Sequence, residues 1–330
     1  MSDSIPSVTI IIPARPGQTE VKAVTAAQRL DYPVHQLEII VARGKQPSVQ
    51  RNTAIRAAKG ELIYFLDDDS MPQPLNLRRA VRLFTDPAVK MVGGPNLCPP
   101  DAPALEQVFA VVLASWLAFG PSRARYARVG DARVSGEKEL ILCNLLARRD
   151  ALLEFGGFDE ALYPNEENAL MDELQKRNGK LIYDPDLFVY RRPRHSLQAF
   201  ARMLRTYGRG RAEQFRSHPT LGSAPNFVPP LFCLYLVALL VLLVSPASES
   251  LTPLKFWSAA PLAIYALAVV IQTAASIPTH GIIKSVLALP LLIASHVFYG
   301  LGFWLGLFTQ LNKGKGGNQS HFQVVLETIA

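Results

Sequence analysis

The last third of the chain is almost without charge. Of 330 residues, 34 are Lys or Arg and 27 are Asp or Glu, yet after Arg216 only Glu249, Lys255, Lys284, Lys313, Lys315 and Glu327 remain. Cysteine is scarce as well. Cys98, Cys143 and Cys233 are odd in number and lack metal-ligand spacing, which argues against a disulfide framework or a thiolate metal site. The six histidines are scattered and form no ligand cluster. Met1 to Val8 have no basic start and no apolar run, so no secretory leader is expected and the N-terminal part is expected to stay in the cytoplasm. No internal repeat or low-complexity tract is evident. A hydrophobic fraction of 49% and a mean hydropathy of +0.15 exclude disorder and a purely soluble protein.

What is present falls into two halves. Between Lys255 and Lys284 lie 28 residues without an acid or base, another 28 separate Lys284 from Lys313, and a third gap runs from Arg216 to Glu249. A bilayer core takes about 20 apolar helical residues, so each gap has room for a span, placed at Val228–Val244, Phe256–Ile277 and Ile282–Leu311. Just before them, residues 188–216 hold eight arginines and one acid, Glu213, which the positive-inside rule puts on the cytoplasmic side. The tail carrying Lys313 and Lys315 is also basic, whereas an odd number of spans would place it outside. The third window would be about 45 Å long as a straight helix. With Pro290, Gly300, Gly302 and Gly306 in it, it reads as one tilted span or as two short, packed segments. The expected organisation is an α/β domain over 1–194, basic interfacial helices over 195–226, three or four membrane segments over 227–311, and a tail over 312–330, in an inner (plasma) membrane. Membrane lipids are expected partners; nucleic acid is not.

The charged half alternates strand and helix. Val8–Ile12, Glu38–Val41 and Glu61–Leu66 are short β-branched or aromatic runs, separated by helical patterns over Val21–Leu30 and Ser48–Lys59. That order predicts a parallel sheet with helices on both faces and ligands at the carboxyl ends of the strands. Pro13-Ala14-Arg15, Ala42-Arg43 and Asp67-Asp68-Asp69 fall there. Residues two apart on an extended segment point the same way, so Asp67 and Asp69 can converge on one hard cation, Mg2+ or Mn2+, that also binds phosphate oxygens. The competing reading is a cap, since Asp69-Ser70 precedes a helix around Leu75–Phe84.

Several segments in order resemble family 2 inverting glycosyltransferases of the GT-A fold: VTIIIPA, LDYPVHQLEIIV, QRNTAIRAAKGELIYFLDDDS, NLLARRDALLEFGGFDEALYPNEEN and GKLIYDPDLFVYRRPR. The likeness spans roughly residues 7–216. The C-terminal part, with SLQAFARMLRTYGRGRAEQF and SHVFYGLGFWLGLF, is similar to membrane-attached exopolysaccharide glycosyltransferases of the succinoglycan type. The implied fold is a GT-A (Rossmann-like parallel sheet) catalytic domain followed by C-terminal transmembrane helices. One departure stands out. After EIIV the family usually carries a second acidic pair that helps to hold the nucleotide base; here Arg43 and Lys45 stand nearby instead.

The resemblance implies that Asp67 and Asp69 hold the metal, and that Pro13, Ala14, Arg15, Arg43, Arg51 and Asp68 line the nucleotide site. Arg205, Arg209 and Arg211 suit phosphate oxygens; they equally suit anionic headgroups. Glu167 falls at the general-base position, with Glu166 beside it as the alternative register. Asn144 matches a pocket position or serves as a buried cap. Asp159 belongs to a turn on the acceptor side. Trp116 lies in the uncharged stretch 107–122, which reads as an ordinary core helix or as a helix near the acceptor lipid. The expected activity is inverting transfer of a sugar from a nucleotide sugar, UDP-linked, to a lipid-linked acceptor. One alternative charges polyprenyl phosphate itself and needs no general base; another is a non-catalytic, nucleotide-binding membrane scaffold.

Overall fold

The computed structural model describes residues 5–160, 166–217, 219, 221–245, 252–309 and 323–329. Along the chain come β1 (Val8–Ala14), α1 (Lys22–Ala27), β2 (Leu37–Arg43), α2 (Pro47–Ala57), β3 (Leu62–Leu66), β4 (Met71–Pro72), α3 (Asn76–Leu83), β5 (Val89–Gly93) and β6 (Asn96–Leu97). There follow α4 (Ala104–Leu113), α5 (Trp116–Phe119), β7 (Arg133–Ser135), β8 (Asn144–Arg148), α6 (Arg149–Glu154), α7 (Glu166–Lys176), β9 (Lys180–Tyr183) and β10 (Val189–Tyr190). The last elements are α8 (Leu197–Ser217), α9 (Val228–Val244), α10 (Thr252–His280), α11 (Ile282–Phe308) and β11 (Val325–Ile329).

These elements sort into two compact units. One is drawn from Met1–Pro100, Pro121–Arg192 and Asn312–Ala330, the other from Asp101–Gly120 and Pro193–Leu311. The division differs from a single cut near residue 194, because α4 and α5 group with the apolar helices and β11 groups with the sheet.

The first unit is built on an eight-stranded sheet, in the order β11-β2-β1-β3-β8-β5-β9-β7. Alternation along β1 explains its two cores. Ile10 and Ile12 join Val41, Tyr64 and Leu66 on the α1 and α3 face. Ile11 joins Ile40, Ile63, Phe65 and Ile55 on the α2 face. Burial on both faces is why these strands read as unbroken apolar runs. Strands β2, β1 and β3 are parallel, as expected. Beyond this parallel core the sheet is mixed: β8 runs antiparallel to β3 and β5, and β11 runs antiparallel to β2. A run buried on both faces, such as Asn144–Arg148, carries no periodic signal for strand direction. A second, three-stranded sheet is ordered β4-β10-β6.

In the second unit, Ser223–Val244, Lys255–His280 and Ile282–Phe308 are long and apolar enough to cross a membrane. Ala104–Leu113 and Trp116–Arg125, bent by 59°, pass the same test only jointly. The third window's Leu311 lies outside the described residues. The uncharged stretch 107–122 is not one helix, since Ser115 caps α5 by accepting the N–H of Ala118 at 3.2 Å. Arg205 and Arg209 on α8 lie against α11. A Cβ on Gly302 would stand 2.1 Å from the Arg205 carbonyl oxygen, and one on Gly306 would stand 2.4 Å from that of Arg209.

Candidate active site

Three parallel strands end side by side at Ala14, Arg43 and Leu66, with Ala14 in register with Arg43. The loop after β3 carries Asp67, Asp68 and Asp69, and Ser70 fixes its shape. The Ser70 N–H donates to the Asp67 carbonyl at 3.0 Å. Its buried hydroxyl accepts the Asp67 N–H at 3.2 Å and donates to the Cys143 carbonyl at 3.2 Å. The cap reading of this loop fails, since α3 begins at Asn76 without a side-chain cap.

The carboxylates are held by two arginines from distant parts of the chain. Arg51 points inward from α2 and is only 6% exposed. Its Nη2 donates to Asp67 at 3.0 Å and its Nη1 to Glu166 at 3.2 Å, while its buried Nε has no hydrogen-bond partner among the described residues. Arg191 follows β10, shares Asp67 with Arg51 and reaches Asp69, with Nη2 at 3.1 Å from Asp67 and Nε at 2.5 Å from Asp69. Burial alone would lower the Arg191 pKa, but the Asp67 and Asp69 charges outweigh it and hold the guanidinium well above its ordinary value. Asp67, Asp69 and Glu166 against Arg51 and Arg191 leave the cluster with one formal negative charge.

This donor set fits a hard divalent cation. Asp67 and Asp69 already converge on one cationic group, the Arg191 guanidinium, and the Asp69 side chain is 42% exposed. Among the described residues, no group of three or more His, Cys, Asp or Glu side chains is placed to hold a metal ion on its own. Two carboxylates with the remaining positions left to phosphate oxygens and water is the pattern Mg2+ and its relatives accept.

The rest of the expected site divides. Asp68 turns away from its neighbours and accepts from Gln18 Nε2 at 2.8 Å. The Ala14 carbonyl, next to Pro13, accepts from Gln50 Nε2 at 2.8 Å and from the Gly44 N–H at 3.0 Å, so this end of β1 contributes backbone. Arg15 is exposed, and its N–H donates to Gln18 Oε1 at 3.3 Å. Arg43 donates through Nε to Glu327 at 2.6 Å and through Nη1 to the Gln18 carbonyl at 2.6 Å. Asn144 lies in the core, accepting from the Tyr64 hydroxyl at 2.8 Å and donating to the Leu187 carbonyl at 2.7 Å. The first bond ties β8 to β3, and the second reaches the segment before β10.

Glu166 and Glu167 open α7, and the preceding residues 161–165, with Tyr163, Pro164 and Asn165, lie outside the described residues. Glu166 is 2% exposed and faces Arg51, whereas Glu167 is half-buried. Asp159 is exposed in the turn that Asn52 holds. Asn52 accepts the Phe158 N–H and donates to the Phe158 carbonyl, both at 2.8 Å. Gly157 has φ +89° there, and a Cβ on it would stand 2.3 Å from Asn52 Oδ1, so the turn requires glycine. In the second unit, Trp116 is 64% exposed on α5. Arg209 pairs with Glu213 at 3.4 Å and Arg211 donates to Gln214 at 3.1 Å, both within α8.

Sequence reasoning missed Arg191, Gln18, Asn52 and Glu327. Arg191 had a signal, since it directly follows a short strand as the aspartates do, but it stood in an arginine-rich flank ascribed to phosphates and headgroups. Glu327 had none, because it reaches β2 only through a tertiary strand pairing.

The family described as "Glycosyltransferase like family 2" matches residues 1–209. Two curated relatives, both "Pre-mycofactocin glycosyltransferase" from Mycobacterium tuberculosis (strains CDC 1551 / Oshkosh and ATCC 25618 / H37Rv), are 25% identical over 186 residues. The match takes in 53% of this chain and only 36% of the length of those relatives. Among solved structures, the mannosyltransferase PcManGT from Pyrobaculum calidifontis, in complex with GDP-Man and Mn2+, shares the fold with a TM-score of 0.50. It is 20% identical, and the superposition covers 93% of this chain and 88% of that one.

Proposed function

The chain belongs to glycosyltransferase-like family 2, and on that footing we propose that it is an inverting, membrane-attached transferase that moves a sugar from a nucleotide sugar to a lipid-linked acceptor. The observation that carries the reading is the cluster at the end of β3, where Asp67 and Asp69 converge on Arg191 while Arg51 braces Asp67 against Glu166. Asp67 and Asp69 would hold the Mg2+ or Mn2+, and the ion would neutralise charge on the leaving diphosphate. Arg191, already positioned between those acids, supplies a second cation beside the same oxygens.

In the transfer, the acceptor hydroxyl oxygen bonds to the anomeric carbon as the bond from that carbon to the diphosphate breaks on the opposite face. The configuration inverts, and Glu167 takes the hydroxyl proton. Arg51 holds Glu166 in an ion pair, which leaves Glu167 as the carboxylate of the pair for proton transfer. The donor is UDP-linked in this reading, with the GDP-linked sugar bound by PcManGT as the competing choice. Three apolar helices support a lipid acceptor, because an aqueous one would not call for them.

The sheet domain faces the cytoplasm of an inner membrane in this proposal. Segments of the sheet unit flank the stretch 193–311 in the chain on both sides, which supports an even number of crossings.

The test is turnover by purified protein in detergent, with UDP- and GDP-sugars, Mn2+ and an undecaprenyl-diphosphate sugar as acceptor. Sugar transferred to that lipid and abolished by EDTA supports the proposal. Transfer to polyprenyl phosphate alone, retained in both Glu166→Gln and Glu167→Gln, replaces it with the phosphate-acceptor reading. Failure of every donor and acceptor pair favours a scaffold.

A further inference from the structure

β11 is an edge strand built from residues that follow all the apolar helices, paired antiparallel to β2 from Val325 opposite Arg43 to Ile329 opposite Ile39. Charges are common on edge strands because they discourage pairing with other chains. Glu327 does more than that. It accepts from Arg43 Nε at 2.6 Å, and this hydrogen bond lowers the Glu327 pKa. Arg43 Nη1 in turn donates to the Gln18 carbonyl at 2.6 Å, and Gln18 Nε2 donates to Asp68 at 2.8 Å. A continuous line of hydrogen bonds therefore runs from the outermost strand, across the ends of β2 and β1, to the middle aspartate of the metal-binding loop.

A guanidinium bound at two nitrogens has its plane fixed. Nη2 of Arg43 remains without a partner among the described residues, and the side chain is 21% exposed. Neighbouring strands are about 4.8 Å apart, so the end of β2 stands about 10 Å along the sheet from the end of β3. That displacement suits the nucleoside of a donor whose diphosphate sits at Asp67, Asp69 and Arg191.

We propose that Arg43 contacts the nucleoside moiety of a bound nucleoside diphosphate and that Glu327, carried in by the C-terminal strand, is the positioning residue that holds it there. This rests on the nucleotide-donor reading. The proposal makes the last strand a determinant of donor affinity, with the diphosphate end of the site unaffected.

The experiment is calorimetric titration of the full chain in detergent with Mn2+, using UDP, GDP and inorganic pyrophosphate as probes. For Glu327→Gln, nucleoside diphosphate affinity is expected to fall about tenfold, the loss of one charge-assisted contact, with pyrophosphate affinity unchanged. Arg43→Lys keeps the charge but removes the fork, and should give the same split whether or not Glu327→Gln folds well. Equal affinities for wild type and both variants overturn the proposal, as does a parallel loss of pyrophosphate binding. If the wild type binds pyrophosphate but neither nucleotide, the donor reading itself is overturned.

Discussion

Replacing Arg51 by Met removes the charge that lies between two carboxylates and keeps most of the side-chain volume. The Asp67 side chain is 24% exposed, so water takes over part of its solvation, whereas the Glu166 side chain is 3% exposed and has little such relief. Removing one partner of a buried pair typically costs about 3–5 kcal/mol; the partial exposure of Asp67 places Arg51→Met near the lower end. For a unit of this size each kcal/mol moves Tm by about 2–4 °C, so the sheet unit should melt roughly 10 °C lower. The double variant Arg51→Met/Glu166→Gln removes the stranded charge as well and should recover more than half of that loss. Scanning fluorimetry of the three proteins in one detergent measures both numbers. A drop of less than about 3 °C in the single variant, or a double variant no more stable than the single, would refute the view that Arg51 compensates Glu166.

Four further outcomes are expected. Asp69→Ala should abolish metal-dependent turnover while Tm stays near that of the wild type; activity insensitive to both EDTA and this substitution would remove the metal assignment. Glu167→Gln should lower turnover about 10²- to 10⁴-fold with donor binding intact, and unchanged turnover would exclude Glu167 as the base. Gly302→Leu should prevent α8 and α11 from packing, since even a Cβ would stand 2.1 Å from a backbone oxygen, and a wild-type Tm for this variant would contradict the contact. Burial pushes the Cys143 thiol up to about 12, so it stays protonated and unreactive through pH 9 in the folded protein. Maleimide should label it only after unfolding, and rapid labelling of the native protein would show the burial to be wrong.

The parts of the fold legible in the sequence are those whose signal is local. β1, β2 and β3 are dense β-branched or aromatic runs, and the three apolar windows are bounded by charges. The aspartates at the end of β3 could be read because strand, turn and loop are contiguous. What could not be read depends on distant partners. The direction of β8 is set by its neighbours β3 and β5, and the short β11 depends on the open edge of β2. The break between α4 and α5 turns on one capping serine in an apolar run, a weak cue beside the hydrophobic pattern. Arg191 was visible as a residue but not as a site residue, because only the packing of β10 brings it to Asp67 and Asp69.

The pairing of β11 with β2 also sets an order of assembly. Val325 pairs with Arg43, 282 residues earlier in the chain. At about 5–20 residues per second, synthesis leaves β2 waiting roughly 15–60 s for its outer neighbour. Throughout that interval one side of β2 offers unpaired N–H and C=O groups to any other extended chain. The apolar helices are all synthesised within the same interval, so the sheet closes only after those helices have been made.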